Sequence, residues 1–155
     1  GDNTGPGGAT VYSMNHRAVN RARTRALREG DWVDANRSPE VTRILVEMAL
    51  ANKEGESEIF AAALRSEVGR NTRLWRNQPM QANFAVLTEA STPAVLFEMG
   101  FLTNREDARR LNDASKQRAL MQSAMAAIES RFGRCADGEP APRYIASAAT
   151  STSTR

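Results

Sequence analysis

One carboxylate stands inside an apolar run: Thr92-Pro93-Ala94-Val95-Leu96-Phe97-Glu98-Met99-Gly100-Phe101-Leu102-Thr103-Asn104. Pro93 opens the run, Val95, Leu96 and Phe97 read as a short buried strand, and Gly100 and Asn104 are breaker residues just beyond it. Glu98 therefore falls at or near the carboxyl end of a strand, where open α/β sheets gather their chemistry. A carboxylate withdrawn from water needs a cation, a metal or hydrogen bonds, or else its pKa rises. The alternative is a strand-end glutamate that turns back to solvent or pairs with one of the arginines, and both readings stand at this point.

The other residues with chemical potential narrow the field. His16 is the single histidine, no Gly-x-Ser-x-Gly motif accompanies it, and it has no histidine partner four residues on. At the start of an amphipathic helix it is expected to face solvent rather than a metal. Cys135 is the single cysteine, which excludes an intrachain disulfide and a multi-cysteine metal site. Trp75 reads as a cover for the rim of the core before it reads as a stacking surface. Neither a phosphate loop nor a dinucleotide glycine pattern occurs, and no internal repeat appears.

The elements that must position Glu98 follow from periodicity. Residues 9 to 14, Ala-Thr-Val-Tyr-Ser-Met, form a strand candidate, and Asn15 can cap a helix from Arg17 to Glu29 that Gly30 ends. Val19, Ala22 and Ala26 share one side of that helix; Arg17, Arg21, Arg25 and Arg28 line the other and read as a solvated face. A polar connection over 31 to 38 leads to Ser38-Pro39-Glu40, a helix start, followed by Val41, Ile44, Leu45 and Met48 at the spacing of one buried face. Ser57 reads as the start of a separate helix through Phe60, Ala63, Leu64 and Val68, closed by Gly69. Residues 71 to 81 break the pattern and read as a loop or irregular edge. Asn83 to Leu87 is a second strand candidate, whose short connection to the Glu98 strand allows antiparallel pairing or separate places in the sheet. Thr103 and Glu106 form a capping box for a helix through Leu111. A last helix begins at Ser115, with Met121, Met125, Ile128 and Phe132 as its apolar face and Gly133 as its end. Beyond it the Pro, Ala, Ser and Thr composition predicts a disordered tail over 134 to 155. Helices alternating with short strands give an α/β class.

Composition sets the bounds. At 155 residues and 41% hydrophobic content the chain suits one domain. No apolar stretch approaches the roughly 20 residues that span a bilayer. The glycine-rich start lacks a signal-peptide pattern and reads as the interior of a longer chain. A net charge of +3, with acids interspersed among the arginines, is not a nucleic-acid footprint.

Three stretches together resemble a known family. Gln81 to Leu87, the Glu98 run from Thr92 to Asn104, and Glu106-Asp107 with Leu111 are similar to the C-terminal half of the zinc-dependent N-acetylmuramoyl-L-alanine amidases of bacterial cell walls. Gly8 to Met14 resembles the family's "GASVYTLS" strand, and Ile44 to Met48 its "ILxDL" helix. The likeness spans about residues 8 to 132, and the Glu98 motif is its specific part. It implies a three-layer mixed sheet flanked by helices, with the domain's N-terminal strands absent, so that 1 to 8 is a loop and 9 to 133 the C-terminal part of a catalytic domain. It also implies a peptidoglycan hydrolase that cuts the amide between N-acetylmuramic acid and L-alanine outside the cytoplasmic membrane, in the periplasm or at the cell surface. Glu98 matches the general acid/base acting on zinc-activated water. The family's His, Glu and His ligands precede the "GASVYTLS" strand, so none carries over, and this chain alone is expected to bind no zinc and to be inactive. The competing reading is an inactive wall-binding or regulatory module of the same fold. With only 31 to 38 between the first two helices, little room remains for the helix that blocks the zinc in some relatives. No activator can be read from the residues.

Overall fold

The computed structural model describes residues 5–29 and 36–133. In chain order these form β1 (Thr10–Met14), α1 (His16–Glu29), α2 (Pro39–Gly69), β2 (Met80–Ala82), a 3-10 turn (Ala85–Leu87), β3 (Leu96–Glu98), α3 (Arg105–Leu111) and α4 (Ala114–Phe132). The sheet has the order β2-β1-β3, with β1 parallel to β2 and antiparallel to β3. This is the expected α/β class, a mixed sheet flanked by helices. The Gly30 stop, most of the 31 to 38 connection, Cys135 and the tail over 134 to 155 lie outside the described residues.

β1 is central because it pairs on both sides and its residues are almost all buried. One core cluster joins Met14 to Ala18, Val19, Ala22 and Ala26 of α1, Val46 and Leu50 of α2, and Leu87. A second joins Ala9 and Val11 to Ala61, Leu64 and Val68 of α2 and to Leu120 and Ala127 of α4. α2 takes part in both, so it ties the two halves of the core together. Each fully buried Val or Leu contributes roughly 1.5–3 kcal/mol. α1 starts as expected, with Asn15 Oδ1 accepting from Ala18 N at 3.0 Å.

α2 corrects two expectations. It is one continuous helix of 31 residues, not two. Gly55 weakens a helix interior by only about 1 kcal/mol, and its Cβ position opens on empty space. Ser57, read as a cap, instead accepts from Ala94 N through its hydroxyl at 3.0 Å. The buried stripe is Thr42, Val46, Leu50, Lys53, Ser57, Ala61, Leu64, Arg65 and Val68, whereas Val41, Ile44 and Met48 are exposed. Small and polar residues line this interface, so the largest apolar side chains do not mark it. α4 shows the same effect. Leu120, Ser123 and Ala127 are buried, while Met121, Met125 and Ile128 are exposed. Phe132 does pack inward, edge-on to Phe60 with ring centroids 5.2 Å apart.

The second strand is also displaced. β2 occupies Met80–Ala82, overlapping the end of the stretch over 71 to 81 read as irregular, and the expected strand over 83 to 87 is mostly the 3-10 turn. The cause is Lys53. Its ammonium donates to Leu87 O at 2.6 Å and to Glu89 O, claiming carbonyls that a strand would offer to a neighbour. Thr88 Oγ1 closes the turn onto Ala85 O at 2.7 Å. β2 and β3 do not pair with each other, because β1 lies between them.

The two ends of the sheet's active half are locked by Asp107. Its Oδ2 accepts from Gly8 N at 2.7 Å and from Phe101 N at 2.9 Å, and its Oδ1 pairs with Arg110 at 3.0 Å. α3 is capped by Asn104, not by the expected Thr103: Asn104 Oδ1 accepts from Glu106 N and Asp107 N. Asn104 is buried against Gly7 and also donates to Pro6 O. α4 is capped by Asp113, so it starts just ahead of the expected Ser115, and it ends at Gly133.

Two expected outcomes follow from these buried polar groups. Asp107→Asn leaves Arg110 without its anionic partner and lowers unfolding free energy by about 3 kcal/mol, measurable from urea denaturation. Burial pushes Lys53 down from 10.5 to about 8, against the opposing effect of Glu89. Between those values the unfolded chain holds more protons than the folded one, so stability rises with pH across that window. Urea midpoints for the wild type should climb from about pH 7.5 to about pH 9.5, and Lys53→Met should flatten that climb.

Candidate active site around Glu98

β3 forms because Leu96 and Phe97 each reach a core. Phe97 packs against the cluster containing Val11, and Leu96 against the one containing Met14. In the antiparallel register Thr10 lies opposite Glu98, Val11 opposite Phe97 and Tyr12 opposite Leu96. Alternate residues share a face, so Thr10, Tyr12, Leu96 and Glu98 project together. Tyr12 and Glu98 are then diagonal neighbours, within reach of a ring as long as tyrosine's.

Glu98 is half-buried. Its backbone is held on one side by the ladder to β1. On the other side Arg110 Nη2 donates to Met99 O at 2.9 Å. Gly100 is required at the turn, since a Cβ there would meet Arg110 Nη2 at 2.8 Å and Asp107 Oδ2 at 3.0 Å. The arginine that secures this turn is already engaged with Asp107. Among the described residues Glu98 forms no ion pair, so the pairing with an arginine that the sequence left open is not made there.

Tyr12 is the polar group that reaches Glu98. Burial first, and the negative charge of nearby Glu98 second, push the Tyr12 phenol up, with a smaller opposing effect from Thr10. Phe84 meets the Tyr12 ring edge-on, with centroids 5.4 Å apart at 88°. The segment carrying Phe84 is held by Arg21, which donates to Asn83 O at 2.9 Å. Thr10 is fully buried, and its hydroxyl has no hydrogen bond of normal geometry among the described residues.

The remaining candidates fall elsewhere. His16 opens α1 with its side chain exposed. Among the described residues no three His, Cys, Asp or Glu side chains converge as a metal-binding group. Trp75 covers the rim of the core: its backbone pairs with Ala9, its ring meets Phe101 edge-on at 5.9 Å, and the Arg76 guanidinium lies over it. A surface depression lined by Arg105, Ala108, Arg109, Asn112 and Asp113 does not include Glu98. No described helix is long and apolar enough to cross a membrane.

Sequence reasoning passed over Tyr12, Lys53, Asp107 and Arg110 as working residues. Only register brings Tyr12 beside Glu98, from which 85 intervening residues separate it in the chain. Lys53 carried a usable signal, being three residues beyond Leu50 on the buried stripe of α2. Asp107 and Arg110 read as ordinary charges of a helix's first and last turns.

Comparison with known proteins supplies a family. The family model described as N-acetylmuramoyl-L-alanine amidase matches residues 2–130. The chain is 26% identical over 140 residues to N-acetylmuramoyl-L-alanine amidase AmiC of Escherichia coli, covering 86% of this chain and 33% of that protein. It is 25% identical to the AmiC of Neisseria meningitidis over 79% of this chain and 31% of the relative. It is also 27% identical to the probable cell wall amidase LytH of Staphylococcus epidermidis over 50% of this chain and 26% of the relative. The chain thus spans about a third or less of the length of these curated relatives. A match that runs through the Glu98 strand and the helices around it places this chain in the N-acetylmuramoyl-L-alanine amidase family.

Proposed function

We propose that the protein hydrolyses the amide between the lactyl group of N-acetylmuramic acid and L-alanine of the peptidoglycan stem, with Glu98 as general acid and base. The observation that carries this is a half-buried carboxylate at the end of β3, free of ion pairs among the described residues and reached by a phenol. A carboxylate engaged by an arginine would be a poor base; this one can accept a proton. As water adds to the amide carbonyl carbon, Glu98 takes its proton. As the C–N bond breaks, the same proton passes to the alanine nitrogen, and Glu98 returns to its starting state. The rigid turn behind it, held by Gly100, Arg110 and Asp107, keeps the carboxylate in place through both transfers.

Among the described residues no three His, Cys, Asp or Glu side chains converge as a ligand set; a zinc ion held by other residues would supply an activated water beside Glu98. Peptidoglycan lies outside the cytoplasmic membrane, which gives the protein an extracytoplasmic place of action, at the periplasm or the cell surface. The second reading is an inactive wall-binding or regulatory module of the same fold.

In the full-length protein assayed on purified peptidoglycan, Glu98→Gln should lower the rate of solubilisation at least about 10²-fold. Full activity in the variant would remove Glu98 from the mechanism. Binding of peptidoglycan by the wild type without any solubilisation would establish the second reading. Metal analysis of the 155-residue chain is expected to find no stoichiometric zinc, and a tightly bound ion in each molecule would overturn that expectation.

A further inference from the structure

We infer that Tyr12 is a positioning residue for Glu98, its phenol donating across the β1–β3 ladder to hold one carboxylate oxygen while the other stays free for the reacting proton. This inference rests on the reading of Glu98 as the acid/base.

The geometry begins with register. Thr10 faces Glu98 and Tyr12 faces Leu96, which puts the phenol and the carboxylate on one sheet face as diagonal neighbours. The ring is not free to swing away. Phe84 meets it edge-on, and the segment bearing Phe84 is secured by Arg21 at Asn83 O and by Lys53 at Leu87 O. Among the described residues the carboxylate has no competing cation: Arg110, on the helix after the turn, is committed to Asp107 and Met99 O. A carboxylate with a single fixed donor loses rotational freedom without losing its basicity to a salt bridge.

Tyr12→Phe keeps the ring and its contact with Phe84 and removes only the donor. In the full-length protein acting on peptidoglycan, it should lower kcat about 10-fold with KM little changed. A purely structural role for the ring would leave kcat unchanged in the folded variant. Inactive Glu98→Gln beside Tyr12→Phe with full kcat would overturn this inference alone. A fully active Glu98→Gln would remove the proposed function along with it. The 155-residue chain allows a test without activity, since it holds two tyrosines, Tyr12 and Tyr144. Followed by ultraviolet absorbance, one tyrosine should ionise above the ordinary range, and Glu98→Gln should bring it back down. An unchanged midpoint in a folded Glu98→Gln variant would show that the two side chains do not interact.

Discussion

Asp107 is almost completely buried, yet it is a carboxylate, and the way its charge is compensated governs the geometry of everything near Glu98. Its two oxygens accept from Gly8 N and Phe101 N and pair with Arg110. Gly8 leads into β1 and Phe101 follows β3, so one side chain fixes the separation of the two strands that carry Tyr12 and Glu98. An uncompensated charge at this depth would cost several kcal/mol, which binds the loop, the turn and the helix into one unit. Gly8 is part of the same constraint. Its φ is +107°, and a Cβ there would lie 2.6 Å from Arg73 O, so only glycine lets the chain pass this close to the segment that pairs with Ala9.

Lys53 does the corresponding work at the other end of the sheet. It reaches from the middle of α2 to the carbonyls of Leu87 and Glu89, the bend that turns the chain from β2 toward β3. Ser57, one turn further along α2, receives Ala94 N. One helix thus holds both the bend and the entry to β3, and its continuity through Gly55 matters for that reason. The site is a carboxylate whose backbone is fixed from several directions, while its side chain meets a phenol and no cation among the described residues. That contrast between rigid support and an unneutralised acid suits a proton-transfer group.

Much of this could be read in the sequence where the signal was local. Asn15 and Ser38 as caps, the alanine face of α1, the strand around Phe97 and Trp75 as a cover for the rim of the core all follow from nearest-neighbour patterns. What resisted reading depends on contacts distant in sequence. The buried face of α2 includes Thr42, Lys53 and Ser57 because each has a tertiary partner or a small neighbour, and a search for large apolar residues selected Val41, Ile44 and Met48 instead. The stretch from Asn83 to Leu87 has strand composition, but Lys53 takes the carbonyl that pairing would need. Glu98 stood out because an acid in an apolar run is rare at any range. Tyr12 did not, since a tyrosine in a strand is ordinary until register shows what lies across from it.

The central claim is that Glu98 serves hydrolysis of one particular bond. Mass analysis of peptidoglycan digested by the full-length protein, beside the same digest with Glu98→Gln, tests it most directly. The account predicts stem peptides with free L-alanine amino termini and glycan strands whose lactyl groups are intact, with both products missing from the variant digest. Cleaved glycan strands, or the same free stem peptides released by the variant, would contradict it.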